Sequence, residues 1–199
     1  MSPRWSDHFT RRARDGGWGA RSVFKLDEIQ RRTGIVRRGD VALDLGCYPG
    51  SWSRFLLSCG VARLVGVDLR VPEGIRGTFL AADAMHVDPA VLGEALGGGA
   101  DLVVSDMAPS TTGDRRGDHA RQVALARRAL EIAVALLRPG GRLVVKVFDG
   151  ADAPAFADEV RVHFGEVRRL KPEATRKHSV EFFLVARGFA PPRTGGEGP

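Results

Sequence analysis

Short apolar runs, each ending at an aspartate or a glycine and separated by stretches with helical spacing, constrain this chain most. Val41-Ala42-Leu43-Asp44-Leu45 runs into Gly46, Leu64-Val65-Gly66-Val67 into Asp68, and Leu102-Val103-Val104-Ser105 into Asp106. Thr78-Phe79-Leu80-Ala81 ends near Asp83, and Arg142-Leu143-Val144-Val145-Lys146-Val147 follows a Pro139-Gly140-Gly141 turn. Runs of this length with little alternation suit strands of a parallel sheet covered on both faces. Between them, residues 22–32 place Val23, Leu26 and Ile29 at helical spacing, with Gly34 as a stop. Residues 122–137 form a long amphipathic segment whose expected buried stripe is Ala124, Leu125, Ala129, Ile132 and Leu136. Residues 153–164 read as a further helix, and residues 167–170 and 182–186 as an antiparallel pair at the sheet edge.

The alternation predicts one open, doubly wound α/β domain, and 199 residues are enough to build its core. The expected organisation is a basic N-terminal segment over residues 1–21, the domain over 22–190, and a disordered Gly- and Pro-rich tail over 191–199. No apolar run approaches the ~20 residues that span a bilayer. Cys47 and Cys59 are too few for a disulfide framework or a metal knuckle, and the five histidines form no ligand spacing, so no metal is expected. The cytoplasm is the expected compartment.

Charge narrows the partners. The formal net charge is +6, an excess that favours polyanions, nucleic acid first. The basic residues cluster at Arg11, Arg12, Arg14 and Arg21, at Arg31, Arg32, Arg37 and Arg38, and at Arg168, Arg169, Lys171, Arg176 and Lys177. Of the 30 basic residues only Lys25, Lys146, Lys171 and Lys177 are lysine. An arginine stays charged, whereas a lysine can be made to give up its proton. Two lysines set in otherwise apolar segments, Lys25 and Lys146, therefore point to chemistry.

Asp44-Leu45-Gly46-Cys47-Tyr48-Pro49-Gly50-Ser51-Trp52 is a strand end, a glycine turn and a helix start. Gly46 and Gly50 let the backbone pass close to a ligand, and the helix beginning near Ser51 offers free N–H groups to a carboxylate. The spacing departs from the G-x-G-x-x-G pattern that cradles a pyrophosphate. A cofactor with an amino-acid end and a nucleoside end fits better, S-adenosylmethionine being one. Asp68 is placed to accept from ribose hydroxyls and Asp83 to take the adenine amino group. Either alone reads as a helix cap or turn residue; three aspartates at successive strand ends, Asp106 included, favour a site.

At this point the chain resembles the FtsJ/RrmJ family of ribosomal RNA ribose 2'-O-methyltransferases. The resemblance covers about residues 4–189 and rests on Arg4-Trp5, Arg21-Ser22-Val23-Phe24-Lys25-Leu26-Asp27-Glu28-Ile29, the Asp44 to Trp52 block, Ser105-Asp106-Met107-Ala108-Pro109, Lys146-Val147-Phe148 and Ser179-Val180-Glu181. It implies a Rossmann-like S-adenosylmethionine-dependent methyltransferase domain over 22–190, with a mostly parallel seven-stranded sheet and helices on both faces. It also implies a lysine, aspartate, lysine, glutamate tetrad at Lys25, Asp106, Lys146 and Glu181. The implied cofactor contacts are Gly50, Trp52, Asp68, Asp83 and Asp106, to which the reading of the glycine turn adds Gly46. The implied partner is large-subunit ribosomal RNA within a particle, and the target a uridine of the A loop; for a compact domain of this kind a monomer is the default expectation. Cys47-Tyr48 replaces two small residues usual in the family's loop, and Ser51 replaces a glycine.

A ribose hydroxyl is a poor nucleophile until its proton leaves, so positioning plus a base is the expected mechanism. Lys146 is the expected proton acceptor or, if it stays charged, the group that offsets the developing alkoxide. Transfer to cytosine C5 would need a cysteine nucleophile near residues 105–110, and transfer to a base amino group an aromatic residue beside Asp106-Met107-Ala108-Pro109; neither is there. The rival readings are a transfer RNA ribose methyltransferase and an RNA-binding assembly factor without turnover.

Overall fold

The structure, a computed structural model, describes residue 18 and residues 20–110, 112–175 and 179–191. Arg4-Trp5, Arg11, Arg12, Arg14, Arg176, Lys177 and nearly all of the expected disordered tail lie outside the described residues. The element order is α1 (Val23–Thr33), β1 (Val41–Leu45), α2 (Ser51–Ser58), β2 (Arg63–Asp68), β3 (Thr78–Ala81), α3 (Pro89–Leu96), β4 (Ala100–Ser105), α4 (Arg115–Leu136), β5 (Leu137–Phe148), α5 (Ala153–His163), β6 (Phe164–Leu170) and β7 (Glu181–Phe189).

Seven strands form one sheet in the order β3-β2-β1-β4-β5-β7-β6. The pairs β2–β3, β1–β2, β1–β4 and β4–β5 are parallel, while β7 runs antiparallel to both β5 and β6. The expected antiparallel pair is thus present, with β6 as the edge and β7 inserted beside β5. Strand order reverses between β1 and β4, the place where open α/β sheets open a crevice at the carboxyl ends of their strands.

Side chains alternate faces along each strand, and both faces are covered. Leu43, Leu45, Val65, Val67, Val103, Val145 and Val147 pack with Leu92, Ala129, Ile132 and Phe156 of α3, α4 and α5. Ala42, Leu64, Leu102, Val104, Val144, Phe183 and Val185 pack with Val23, Leu26 and Ile29 of α1 and Trp52, Phe55 and Leu56 of α2. This parity places the site. Asp106 follows Leu102 and Val104, Lys146 follows Val144, and Glu181 precedes Phe183, so all three fall on the face covered by α1.

Two helices differ from the sequence expectation. α4 begins at Arg115 rather than near 122, because Asp114 caps it by accepting from the N–H groups of Arg116 and Gly117 at 3.1 and 3.2 Å. Its buried stripe is Val123, Ala126, Ala129, Leu130, Ile132 and Ala133; Ala124, expected inside, is exposed. Gln122, which the apolar pattern excludes, is buried beside this stripe. α3 was not expected, although its signals are local: Asp88 accepts from Ala90 N–H at 2.8 Å, Pro89 opens the first turn, and Gly97 ends it with φ +75°.

Candidate active site

The carboxyl ends of β1, β2 and β4 border a cleft of about 320 Å³. Gly46, Asp68, Asp83 and Asp106 line it together with apolar Val67, Ala84, Met107 and Leu125. Three carboxylates face this space, and no lysine or arginine is among its lining residues. The volume suits a small-molecule site. The charge opposes a pyrophosphate and favours a ligand carrying positive charge.

The glycine turn is shaped by its neighbours. Gly46 has φ +80°, and a Cβ there would lie 2.8 Å from Met107 Cγ and 3.2 Å from Met107 N, so the turn after β1 touches the segment after β4. Gly50, φ +98°, leads into α2. Trp52 is the sequence-predicted contact whose ring does not reach the cleft. Its Nε1–H donates to Ser22 O at 2.9 Å and its ring packs 5.7 Å from Phe183, and neither Trp52 nor Gly50 is among the residues that line the cleft. Ser22 Oγ and Ser51 Oγ lie 2.7 Å apart, a second tie between α1 and the glycine turn.

Asp44 lies just behind the turn, 1% exposed. Ser53 donates to its Oδ2 at 2.7 Å, while Oδ1 is buried with no hydrogen-bond partner among the described residues. Burial pushes this carboxyl up to about 7, the Ser53 bond opposing and the charges of Asp106 and Asp68 reinforcing the shift. Sequence reasoning placed Asp44 in the turn motif but gave it no role of its own.

Lys25, Asp106, Lys146 and Glu181, far apart in sequence, converge beside the cleft. Lys25 Nζ lies 2.6 Å from Glu181 Oε1 and 3.9 Å from Asp106 Oδ1. Lys146 Nζ lies 3.1 Å from Asp106 Oδ1 and donates to the Asp106 carbonyl at 2.5 Å. The four side chains are 5–16% exposed. Lys25 is also 5.7 Å from the Phe183 ring centroid. Asp106 belongs to both groups, so the tetrad adjoins the acid-lined cleft through this carboxylate.

Gln122, missed from the sequence, supports this arrangement. β4–β5 pairing ends at Ser105↔Val145, leaving the Lys146 carbonyl one residue beyond the ladder. Gln122 Nε2 donates to that carbonyl at 2.9 Å. The signal was a glutamine on a helix face that its neighbours make apolar. On the far side, Asp118 gathers the segment after Pro109, accepting from Thr112 N–H at 3.0 Å and Gly113 N–H at 3.3 Å. Those bonds hold the Asp118 carboxyl below the usual range.

The sheet order, its antiparallel seventh strand and an acid-lined crevice at the switch point define a Rossmann-like fold of the methyltransferase type. A model of FtsJ-like methyltransferases matches residues 18–189, and the chain belongs to that family. It is 40% identical over 197 residues to the ribosomal RNA large subunit methyltransferase E of Granulibacter bethesdensis, covering 96% of this chain and 86% of that protein. It is 41% identical over 186 residues to the protein of the same name from Desulfatibacillum aliphaticivorans, covering 91% and 89%. Among solved structures, one described as a ribosomal RNA methyltransferase from Plasmodium falciparum superposes with a TM-score of 0.79 at 22% identity, over 87% of this chain and 100% of that one. The 1,6-didemethyltoxoflavin-N1-methyltransferase of Burkholderia thailandensis, solved with S-adenosylhomocysteine, superposes with a TM-score of 0.53 at 20% identity, over 93% and 87%. These two share the fold.

Proposed function

We propose that this chain transfers a methyl group from S-adenosylmethionine to a ribose 2'-hydroxyl of large-subunit ribosomal RNA. The observation that carries this reading is the convergence of two lysines and two carboxylates at the edge of an acid-lined cleft. That relatives 40–41% identical are ribosomal RNA large subunit methyltransferases supports the RNA class. Three cleft carboxylates and no base fit a ligand with a sulfonium and an ammonium, and the orphaned Asp44 Oδ1 adds an acceptor behind the turn. Asp68 would hold the ribose, Asp83 the adenine, and Gly46 the amino-acid end. When bound, the cofactor supplies the methyl group on a sulfur that departs as a thioether.

The chain's own residues set the acceptor. Lys146 Nζ donates to the Asp106 carbonyl and lies 3.1 Å from the Asp106 carboxylate as an ion pair without hydrogen-bond geometry. The directions not taken by that bond offer a lone pair if the amine is neutral and only N–H groups if it is charged. A neutral Lys146 takes the hydroxyl proton; a charged one stabilises the alkoxide. Lys25, held by Glu181, brings a second positive charge beside Asp106, whose carbonyl accepts from Lys146. The target is a uridine of the A loop presented in a ribosomal particle, and the enzyme acts in the cytoplasm as a monomer.

Methyl-labelled cofactor offered with ribosomal particles, free ribosomal RNA and transfer RNA tests the reading, with nuclease mapping of the modified sugar. Label in the 2'-O-methyl nucleoside of the large-subunit RNA is expected. Label in transfer RNA would replace the substrate, and no label in any RNA would leave a binding factor. Lys146→Ala is expected to bind cofactor as the wild type does and to lose turnover by ~100-fold or more. Lys146→Arg separates the two roles, since guanidinium cannot take a proton. Near-normal turnover in the arginine variant excludes the base and keeps charge stabilisation.

A further inference from the structure

The turn after β1 and the segment after β2 are joined into one wall of the cleft. Tyr48 N–H donates to Asp68 Oδ2 at 3.1 Å, and Arg70 N–H donates to Asp68 Oδ1 at 3.3 Å. Each carboxylate oxygen therefore has one backbone donor and keeps a lone pair directed elsewhere. A Cβ on Gly50 would lie 2.3 Å from Ile75 Cδ1 and 2.9 Å from Pro72 Cβ, so the two segments are in contact below this point. Arg54 also donates to Glu73 O at 3.3 Å.

At the top of this wall stands Tyr48, the chain's one tyrosine, a cleft-lining residue that is 49% exposed. The Arg70 guanidinium carbon lies 5.9 Å from its ring centroid, within cation–π range. An aromatic ring left half in water beside a ligand cleft gains by covering what fills the cleft. A guanidinium against the ring restrains its rotamer before anything binds.

We propose that Tyr48 is a retention residue for the cofactor, closing the nucleoside end of the cleft over the ligand, with Arg70 bracing the ring. This rests on the cofactor assignment above and adds a part that the assignment does not need. The ring acts through its apolar face, so its hydroxyl is dispensable. Because Tyr48 touches the nucleoside, S-adenosylmethionine and S-adenosylhomocysteine gain alike. The gain appears mainly in the dissociation rate, since a cover slows exit more than encounter.

Calorimetry and stopped-flow displacement on the full chain, with each of the two ligands, test this. Tyr48→Phe is expected to bind as the wild type does. Tyr48→Ala is expected to weaken both ligands by roughly tenfold, the scale of a lost aromatic stacking contact. Arg70→Ala should weaken them by a smaller factor in the same direction. Asp68→Ala serves as the reference for the cofactor site itself. If the wild type binds and Asp68→Ala does not, while a natively melting Tyr48→Ala binds like the wild type, the cover is overturned and the cofactor site stands. If the wild type binds neither ligand, the cofactor assignment falls and the cover with it. Loss of binding in Tyr48→Phe would also overturn the proposal, because the hydroxyl would then be the contact.

Discussion

Asp44 shows how a single residue can tie the site to the stability of the fold. Its carboxyl, ordinarily near 3.8, is pushed up to about 7 by burial in the native state. Between those values the folded chain holds a proton that the unfolded chain has lost. The stabilisation is therefore fully present below about 3.8 and disappears as pH rises through about 7. At about 1.4 kcal/mol per pH unit, the whole effect is on the order of 4 kcal/mol. Urea denaturation between pH 4.5 and pH 8.5 should show wild-type stability falling more steeply with pH than that of Asp44→Asn, with the variant relatively favoured at the alkaline end. Parallel profiles would mean that Asp44 keeps an ordinary proton affinity. Sequence alone could not give this, because the effect depends on how deeply the fold buries the carboxyl. The tetrad was legible for the opposite reason. In a chain that prefers arginine, Lys25 and Lys146 stand out by residue type, and the structure brings both to Asp106 and Lys25 to Glu181. Tyr48 and Arg70 were not legible as a pair, since nothing local to either names the other.

At the scale of the element, α1 is the part that carries Lys25 to the sheet, and it is fastened at both ends. Its N-terminal end meets the glycine turn through Ser22, Ser51 and Trp52. Its C-terminal end meets two strand arginines on the same face: Arg187 donates to Thr33 O, and Arg142 donates to Ile35 O at 2.5 Å. Arg142 also pairs with Asp40 at 2.6 Å, their side chains 4% and 7% exposed. Taking one partner from a buried pair strands the other charge and costs ~3–5 kcal/mol. Arg142→Met should lose stability on that scale in urea unfolding. Arg142→Met with Asp40→Leu should recover much of it, since no charge is then left buried. If the double variant is no more stable than the single one, the carbonyl bond to Ile35 rather than the ion pair holds the helix end. The strands were readable because parity and burial are written in short apolar runs. The helix faces were less so: α4 buries a glutamine, bonded to a carbonyl 24 positions away, beside Val123 and Ala126, while Ala124 is exposed.

Across the whole molecule, the sheet sorts the positive charge by edge. The strands β1, β2, β4 and β5 point their carboxyl ends at the cleft, so Arg37 and Arg38, just before β1, lie on the opposite edge. Arg31 and Arg32, in the last turn of α1, lie there too and are paired with Asp27 and Glu28. β6 is antiparallel to β7, as β5 is, so Arg169 and Lys171 come out on the cleft edge. Arg169 is paired with Asp149 and rests 3.9 Å from the Phe182 ring centroid, and Lys171 Nζ donates to Ser179 O. Net charge alone would credit both clusters with binding the proposed RNA; geometry credits only the second. Each lost phosphate contact should lower the slope of log affinity against log salt by about 0.7 for single-stranded RNA. Arg37→Glu with Arg38→Glu is expected to leave that slope nearly unchanged. Arg169→Glu with Lys171→Glu should reduce both the slope and the affinity, with cofactor binding untouched because neither side chain borders the cleft. Filter binding of ribosomal RNA fragments at several salt concentrations reads both pairs. An equal loss in the two double variants would mean that the RNA wraps the molecule, and that attraction follows total charge rather than the edge on which the charge sits.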